Sequence, residues 1–290
     1  MTGQPFQAAL RNKLVLDEEG VRRIGGPAAP VSYPAEGSSL MFEVEEGSWW
    51  FNHRNNVIRT IVRRFPPGGA VWDIGGGNGI VTAALVRDGW DAVLVEAGEE
   101  GCRNARRRGV EKVIRASLED LQFREGSIAA AGLFDVLEHV ERPLDFLRSI
   151  RAAIRSGQEG RLYVTVPAHR RLWSGEDEWA GHLVRFGPAD LFALLEKAGF
   201  RVQYHSFLFS LLSPFVFLSR TLPHRLGLRR RRPGAESRTA QIRGDHKRRA
   251  GPLGRAWERH LSREVARIAG GRVGHGSSLV AVCRGSGEAG

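Results

Sequence analysis

The chain of 290 residues is poor in cysteine, tyrosine and methionine, with 2, 3 and 2 of them. Cys102 and Cys283 form neither a metal-spaced pair nor a disulfide framework, which fits a reducing compartment. No apolar run reaches about 18 residues, so no membrane-spanning helix is expected. The opening stretch MTGQPFQAALRNKLVLDEEG lacks a continuous apolar core, so no secretory signal is expected. These absences predict a cytoplasmic chain, with peripheral contact at the inner membrane face as its one membrane option. Acidic residues are scarce only locally. Arg220 to Arg272 holds 16 Lys+Arg against 4 Asp+Glu, although the whole chain nets +11. The rest is therefore near neutral, and the basic excess belongs to a segment and not to the fold.

What is present is a repeat of strand and helix patterns. Apolar positions Phe51, Val57, Ile58, Ile61, Val62 and Phe65 have helical spacing, and PPGG stops that helix. AVWDIG, DAVLVEAG, VIRAS, SIAAAGLFDVL, GRLYVTVPA, FRVQYHSFLF and SSLVAVCR read as strands, most of them separated by helix patterns. This predicts an α/β fold: a doubly wound, Rossmann-like, mostly parallel sheet of seven strands. Ligands bind such sheets at the carboxyl ends of the strands. The expected organisation is an N-terminal extension (1–48, partly helical), a nucleotide-binding core (49–206), an apolar and basic insertion (207–272), and the last strand with its tail (273–290).

VWDIGGGNG, Val71 to Gly79, places glycines at a strand-to-helix turn. There they permit positive φ and a close approach of backbone to ligand. A dinucleotide fingerprint fits poorly, because Ile80 stands where its third glycine belongs. Asp73 would also repel a pyrophosphate. A cationic ligand suits it better, and S-adenosylmethionine (SAM) carries an ammonium and a sulfonium with no phosphate. Glu96, at the end of the second core strand, can accept from a ribose diol. Ser117 and Leu118, after the third, are expected at the adenine edge.

VWDIGGGNG, Glu96, ASLEDLQF, FDVLEHVERPLDFL and LYVTVPAHRRLWS occur in that order at sensible spacing. Together they resemble a class I SAM-dependent methyltransferase, of the broad group that includes ubiquinone-pathway O-methyltransferases. The resemblance covers about residues 50–206, and HGSSLVAVCR resembles the family's final strand. It implies that Asp73, Gly75, Gly77, Gly79 and Glu96 hold SAM. The family often has Asp where this chain has Ser117, which moves the adenine contact toward backbone or Glu119.

Asp135, Glu138 and His139 cluster after the fourth core strand, where the methyl would be presented. His182 stands in the long segment after the fifth. The favoured expectation is that His139 or His182 acts as a base without metal, with Asp135 beside them. D-x-x-E-H also resembles the metal motif of small-RNA 2′-O-methyltransferases, which implies an alternative in which Asp135, Glu138, His139 and His182 hold a divalent metal ion. A third possibility is purely structural. His169, Trp173, Asp177, Glu178 and Arg185 share the long segment and are read as substrate-facing. Trp49, Trp50, His53 and Arg54 form a second candidate wall.

Phe207 to Leu218 is apolar but too short to span a bilayer, and Arg229 to Arg232 follow it. The region 207–232 is read either as a lid over the site or as a membrane-surface segment. The loop 229–249 is expected to be solvated. RNA is disfavoured as a partner, because aromatics do not interleave with the charges and no RNA-binding motif is found. The expected activity is methyl transfer to oxygen on a small-molecule acceptor, lipid-linked or saccharide. The alternatives are a metal-dependent RNA 2′-O-methyltransferase and a SAM-binding accessory protein without turnover.

Overall fold

The computed structural model describes residues 7–24, 35–117, 120–157, 159–213, 217–227, 244 and 251–286. Among them one nine-stranded sheet organises the chain, in the order β1-β2-β5-β4-β3-β6-β7-β9-β8. Seven of these strands are those read from the sequence: β3 Val71–Ile74, β4 Ala92–Glu96, β5 Val113–Arg115, β6 Ala130–Phe134, β7 Arg161–Pro167, β8 Phe200–Leu208 and β9 Ser278–Gly285. β3 to β7 pair in parallel, and β9 runs antiparallel between β7 and β8.

The count of seven needs correction to nine. The additional strands, β1 Leu14–Leu16 and β2 Arg22–Ile24, form a hairpin inside the N-terminal extension. β2 then pairs in parallel with β5, so the extension is woven into the sheet edge. The hairpin turns on Asp17, whose Oδ1 accepts from the amides of Glu19 and Val21 at 3.0 and 2.8 Å. Three-residue strands are too short to show a period of two, and so left no readable alternation. The extension is also partly helical, through α1 Ala35–Glu45.

Two apolar layers cover the sheet. Trp72, Ile74, Val93, Val95 and Leu133 face one layer, built with residues of helices α5 Pro143–Ala153 and α7 Pro188–Lys197. Val71, Ala92 and Ala130, an odd number of positions away in each strand, face the other. This is the side-chain alternation of strands. That second layer is filled by α2 Trp49–Arg64, by α3 Ile80–Arg87 and by the C-terminal helix Gly251–Ala269. Ser48 caps α2 by accepting from the amides of Trp50 and Phe51. Val57, Ile58, Ile61 and Val62 of α2 are fully buried. Helix α4 Glu99–Arg107 completes this side, with Cys102 and Ala105 packed on Leu94.

The C-terminal helix, read as part of an insertion, is joined to this core. Its Glu264 is 1% exposed and accepts from His53 Nε2 (2.7 Å), Phe209 N (2.7 Å), Ser210 N (3.0 Å) and Ser210 Oγ (2.7 Å). Trp50 stacks on Phe209 at 5.2 Å, and Trp49 packs edge-on against Trp257. Trp49 and His53 therefore tie α2 to this helix, and Trp50 ties it to the Phe209 turn. The solvated loop expected at 229–249 lies, Gly244 aside, outside the described residues.

Candidate active site

The parallel strands β3 to β7 end on one side of the sheet, and the candidate groups sit at these strand ends or in the segments that follow them. The first turn runs from β3 into α3. Gly75 and Gly77 have φ of +73° and +56°, open to glycine at little cost. A Cβ on Gly77 would meet no atom within 4 Å, so the space beside its backbone is free for a ligand. Gly79 does a different job from the one its place in the motif implied. A Cβ there would lie 2.7 Å from that of Ala105, so this glycine lets α4 pack against the turn. Gly76, which the sequence did not single out, has no room for a Cβ beside Asp73 and Leu94.

Asp73 is buried at the end of β3. Thr82 Oγ1 donates to its Oδ2 at 2.5 Å, while Oδ1 has no hydrogen-bond partner among the described residues. Burial pushes its pKa up to about 6, against the pull of Thr82 and the Arg54 charge. A buried carboxylate oxygen left without a donor favours a cationic guest. Glu96 accepts from Gly77 N at 2.9 Å and from Gly98 N at 2.7 Å, one amide on each oxygen. The carboxylate is thereby fixed against the glycine turn, and each oxygen keeps a lone pair for a diol. Burial raises its pKa, with the amides of Gly98 and Gly77 opposing. These features fit SAM: Asp73 would suit its ammonium, the turn at Gly75 and Gly77 its methionine part, and Glu96 its ribose.

Ser117, expected at the adenine edge, turns its hydroxyl to its own loop. Ser117 Oγ donates to Asp120 Oδ2 at 2.6 Å and accepts from Asp120 N at 3.0 Å. Its hydroxyl is thus engaged in the loop's own turn. Leu118 and Glu119, expected beside it, lie outside the described residues.

The β6 turn carries the chemistry-bearing groups. Asp135 adopts a φ of +59°, rare for a residue with a side chain. Its Oδ2 accepts from Arg54 Nη1 at 2.6 Å and its Oδ1 from Thr165 Oγ1 at 3.0 Å. Arg54 projects from α2, and its guanidinium lies over the Trp50 and Phe51 rings at 5.4 and 5.6 Å. Asp135 is therefore held by an arginine and does not join the cluster next to it. The Arg54 charge also acts on Asp73 and Glu138, and links the two halves of the site. A Cβ on Gly75 would touch Val136, so the glycine turn and the β6 turn are in contact range.

That cluster is Glu138, His139 and His182. One ligand atom from each lies within 4.8 Å of the others. Glu138 is 0% exposed, and neither of its oxygens has a hydrogen-bond partner among the described residues. Burial first, and the Asp135 charge second, raise its pKa well above the usual carboxylate range. His139 Nδ1 lies 3.2 Å from the Gly181 carbonyl. A carbonyl only accepts, so Nδ1 carries the proton and Nε2 is the basic nitrogen. His182 Nδ1 lies 2.9 Å from Asp177 Oδ1, which puts its proton on Nδ1 as well. Burial, and then the neighbouring His182, lower the His139 pKa and keep that ring neutral.

Asp177 is the positioning group that the sequence placed only among wall residues. It sits in a capping box with Ser174 at the start of α6 Gly175–Ala180. Burial raises its pKa, but donation from His182 and the Arg185 charge prevail and hold it below the usual range. Arg185 Nε donates to the same Oδ1 at 2.7 Å. Carboxylate and carbonyl partners on the far nitrogen are the usual support for histidines that bind metal or move protons. The His169 ring, read as substrate-facing, stacks on Phe207 at 5.3 Å.

The family model described as a methyltransferase domain matches residues 50–205. The chain is similar to the ubiquinone biosynthesis O-methyltransferase of Xanthomonas axonopodis pv. citri (strain 306), 27% identical over 52% of this chain and 72% of that one. In fold it is similar to the phosphoethanolamine N-methyltransferase 2 of Haemonchus contortus in complex with SAM, with a TM-score of 0.55 at 12% identity. That match covers 91% of this chain and 61% of the other. The [4+2]-cyclase SpnF has a TM-score of 0.55 at 19% identity, covering 91% and 100%. The same fold thus serves proteins named for different reactions.

Proposed function

The chain belongs to the methyltransferase domain family and is a class I SAM-dependent methyltransferase, and from that premise we propose that it methylates a hydroxyl oxygen of a small, lipid-linked or saccharide acceptor. The observation that carries this reading is the Glu138–His139–His182 cluster, with its unpartnered carboxylate and two pinned imidazoles. A hydroxyl must lose its proton as it takes a methyl, and such a cluster is what that requires. The O-methyltransferase names of the relatives support the same choice of acceptor atom. The carboxyl end of the sheet is where this fold holds its ligands.

Bound SAM supplies an electrophilic methyl whose sulfur leaves as a neutral thioether. The chain's own residues align the acceptor oxygen and receive its proton. Alignment is worth about 7–11 kcal/mol in well-oriented systems. His139 Nε2 is neutral and basic, so it can take the proton as the O–CH3 bond forms. Asp177 keeps the His182 ring in one tautomer beside it.

A second reading is favoured by the state of Glu138. A buried carboxylate without a donor is costly, and a cation relieves that cost. Glu138, His139 and His182 have the donor types of a site for a divalent transition-metal ion. Such an ion would lower the pKa of an acceptor hydroxyl. Asp135, bound to Arg54, is left out of this ligand set.

The test is methyl transfer from tritium-labelled SAM into a host extract, divided into organic, aqueous small-molecule and RNA fractions, with and without EDTA. Label in the organic or small-molecule fraction is expected. Survival of that label in EDTA assigns the cluster as a base, and its loss assigns it as a metal site. Label confined to RNA overturns the small-acceptor reading. Bound SAM with no transfer into any fraction makes the chain an accessory protein.

A further inference from the structure

The segment after β8 presents leucines to solvent. Leu211, Leu218, Leu222 and Leu226 are 50%, 63%, 37% and 62% exposed. Three of them recur every four residues along a continuous helical stretch, the π-helical turn Phe217–Thr221 followed by the helix Leu222–Arg225. That spacing puts Leu218, Leu222 and Leu226 on one face. The adjacent face is spent on the protein. Thr221 is buried and its Oγ1 donates to the Leu172 carbonyl at 3.1 Å. Arg225 Nη2 donates to the Arg171 carbonyl, and His224 lies 3.4 Å from Glu178. The leucine row is thus braced on the stretch 171–178, which includes Asp177, the partner of His182.

The site mouth itself carries one more leucine. Leu183 follows His182, is 55% exposed, and its amide donates to the Glu138 carbonyl at 2.7 Å. Charge decides what this surface fits. Between Phe217 and Gly227 the sequence has two arginines and a histidine and no acidic residue, and Arg229 to Arg232 follow directly. Arg171 and Arg225 are exposed beside the leucines. A row of leucines with exposed Arg171 and Arg225 near it, and an arginine run next in the sequence, matches a surface with anionic head groups above and hydrocarbon below. A protein groove offers no general reason for so one-sided a charge.

We infer that the Leu218–Leu222–Leu226 face docks the chain on an anionic phospholipid bilayer, with the Glu138–His139–His182 cluster opening beside the head groups. This deepens the lipid-linked acceptor reading and rests on it for its purpose. Docking itself is measured without any acceptor, so the two can fail separately.

The experiment uses the full chain with vesicles of phosphatidylglycerol and phosphatidylethanolamine, and in parallel with pure phosphatidylcholine vesicles. Wild type is expected to co-sediment with the anionic vesicles only. The double variant Leu218→Asp with Leu226→Asp should lose at least tenfold in vesicle affinity. Both positions are exposed, and calorimetric SAM affinity, expected unchanged, confirms that the variant is folded. Should either leucine variant misfold, Leu222→Ser repeats the measurement with a smaller change. Undiminished binding of a folded leucine variant overturns the inference, because the arginine run alone would then suffice. A wild type that stays in the supernatant overturns it too, and leaves the leucine face to a protein partner.

Discussion

Glu264 and Glu138 are both closed to solvent, at 1% and 0% exposure, yet their surroundings are opposite. Glu264 accepts from two amides, a hydroxyl and an imidazole. Burial pushes its pKa up, but donation from His53 and Ser210 outweighs that and holds it at about 2. Glu138 has no donor on either oxygen, and burial with the Asp135 charge drives its pKa the other way. The first is a clamp that closes the C-terminal helix onto α2. The second is a carboxyl that folding leaves unmatched, at the point where acceptor chemistry is expected. A satisfied buried charge is structure, and an unsatisfied one calls for a guest or a proton.

The largest effect belongs to the unsatisfied side. His182→Ala should lower turnover by about 10²–10⁴-fold while SAM affinity, read by calorimetry, stays as it was. Full turnover in that variant would place His182 with the scaffold and blur the contrast. On the satisfied side, Glu264→Ala should cost about 3–5 kcal/mol in urea unfolding, because it strips a buried partner from His53 and the Phe209–Ser210 turn. The pH dependence sharpens this. The Glu264 pKa is depressed on folding, so its contribution is present above about pH 4.5, the ordinary value, and is lost as pH falls toward 2. The variant should lack that part of the wild-type acid transition.

Asp73 stands between the two cases, with one oxygen satisfied by Thr82 and one not. Its pKa is raised to about 6, so it is ionised above that pH and neutral below. SAM affinity should therefore be flat above pH 6 and fall by about tenfold per unit below it. Asp73→Asn should bind weakly and without that slope, and calorimetry across pH 5 to 8 (about three units) distinguishes the two profiles. The smallest effect is expected at Ser117, whose hydroxyl is already spent on Asp120. Ser117→Ala should change stability by no more than about 0.5 kcal/mol and SAM affinity by little. A tenfold loss of SAM affinity would restore Ser117 to the adenine site.

The contrast also explains what the sequence could and could not show. The seven core strands were legible because apolar runs and glycine stops mark them locally. The hairpin Leu14–Leu16 and Arg22–Ile24 was not, since strands so short carry no period. The glycine turn, Asp73 and Glu96 were legible as candidates, because each lies in a strand or in the turn that leaves it. The division of labour among the glycines was not. Gly79 answers to Ala105 and Gly76 to Asp73 and Leu94, contacts that only packing creates. Likewise Asp135 looked equal to Glu138 in D-x-x-E-H. What separates them is Arg54, 81 positions earlier in the chain, which takes one carboxylate and leaves the other bare. The Glu264 clamp joins residues 211 positions apart and left no local trace.

The most direct measurement is single-turnover methyl transfer from tritium-labelled SAM by Glu138→Gln beside wild type, in host extract and at saturating SAM. The substitution keeps the shape of the side chain and removes its ability to take up or release a proton. Transfer is expected to be lost while SAM still binds, with thermal stability little changed, because burial already favours the uncharged carboxyl that Gln imitates. A Glu138→Gln chain that transfers methyl at the wild-type rate would contradict it, and would place the chemistry away from the Glu138–His139–His182 cluster.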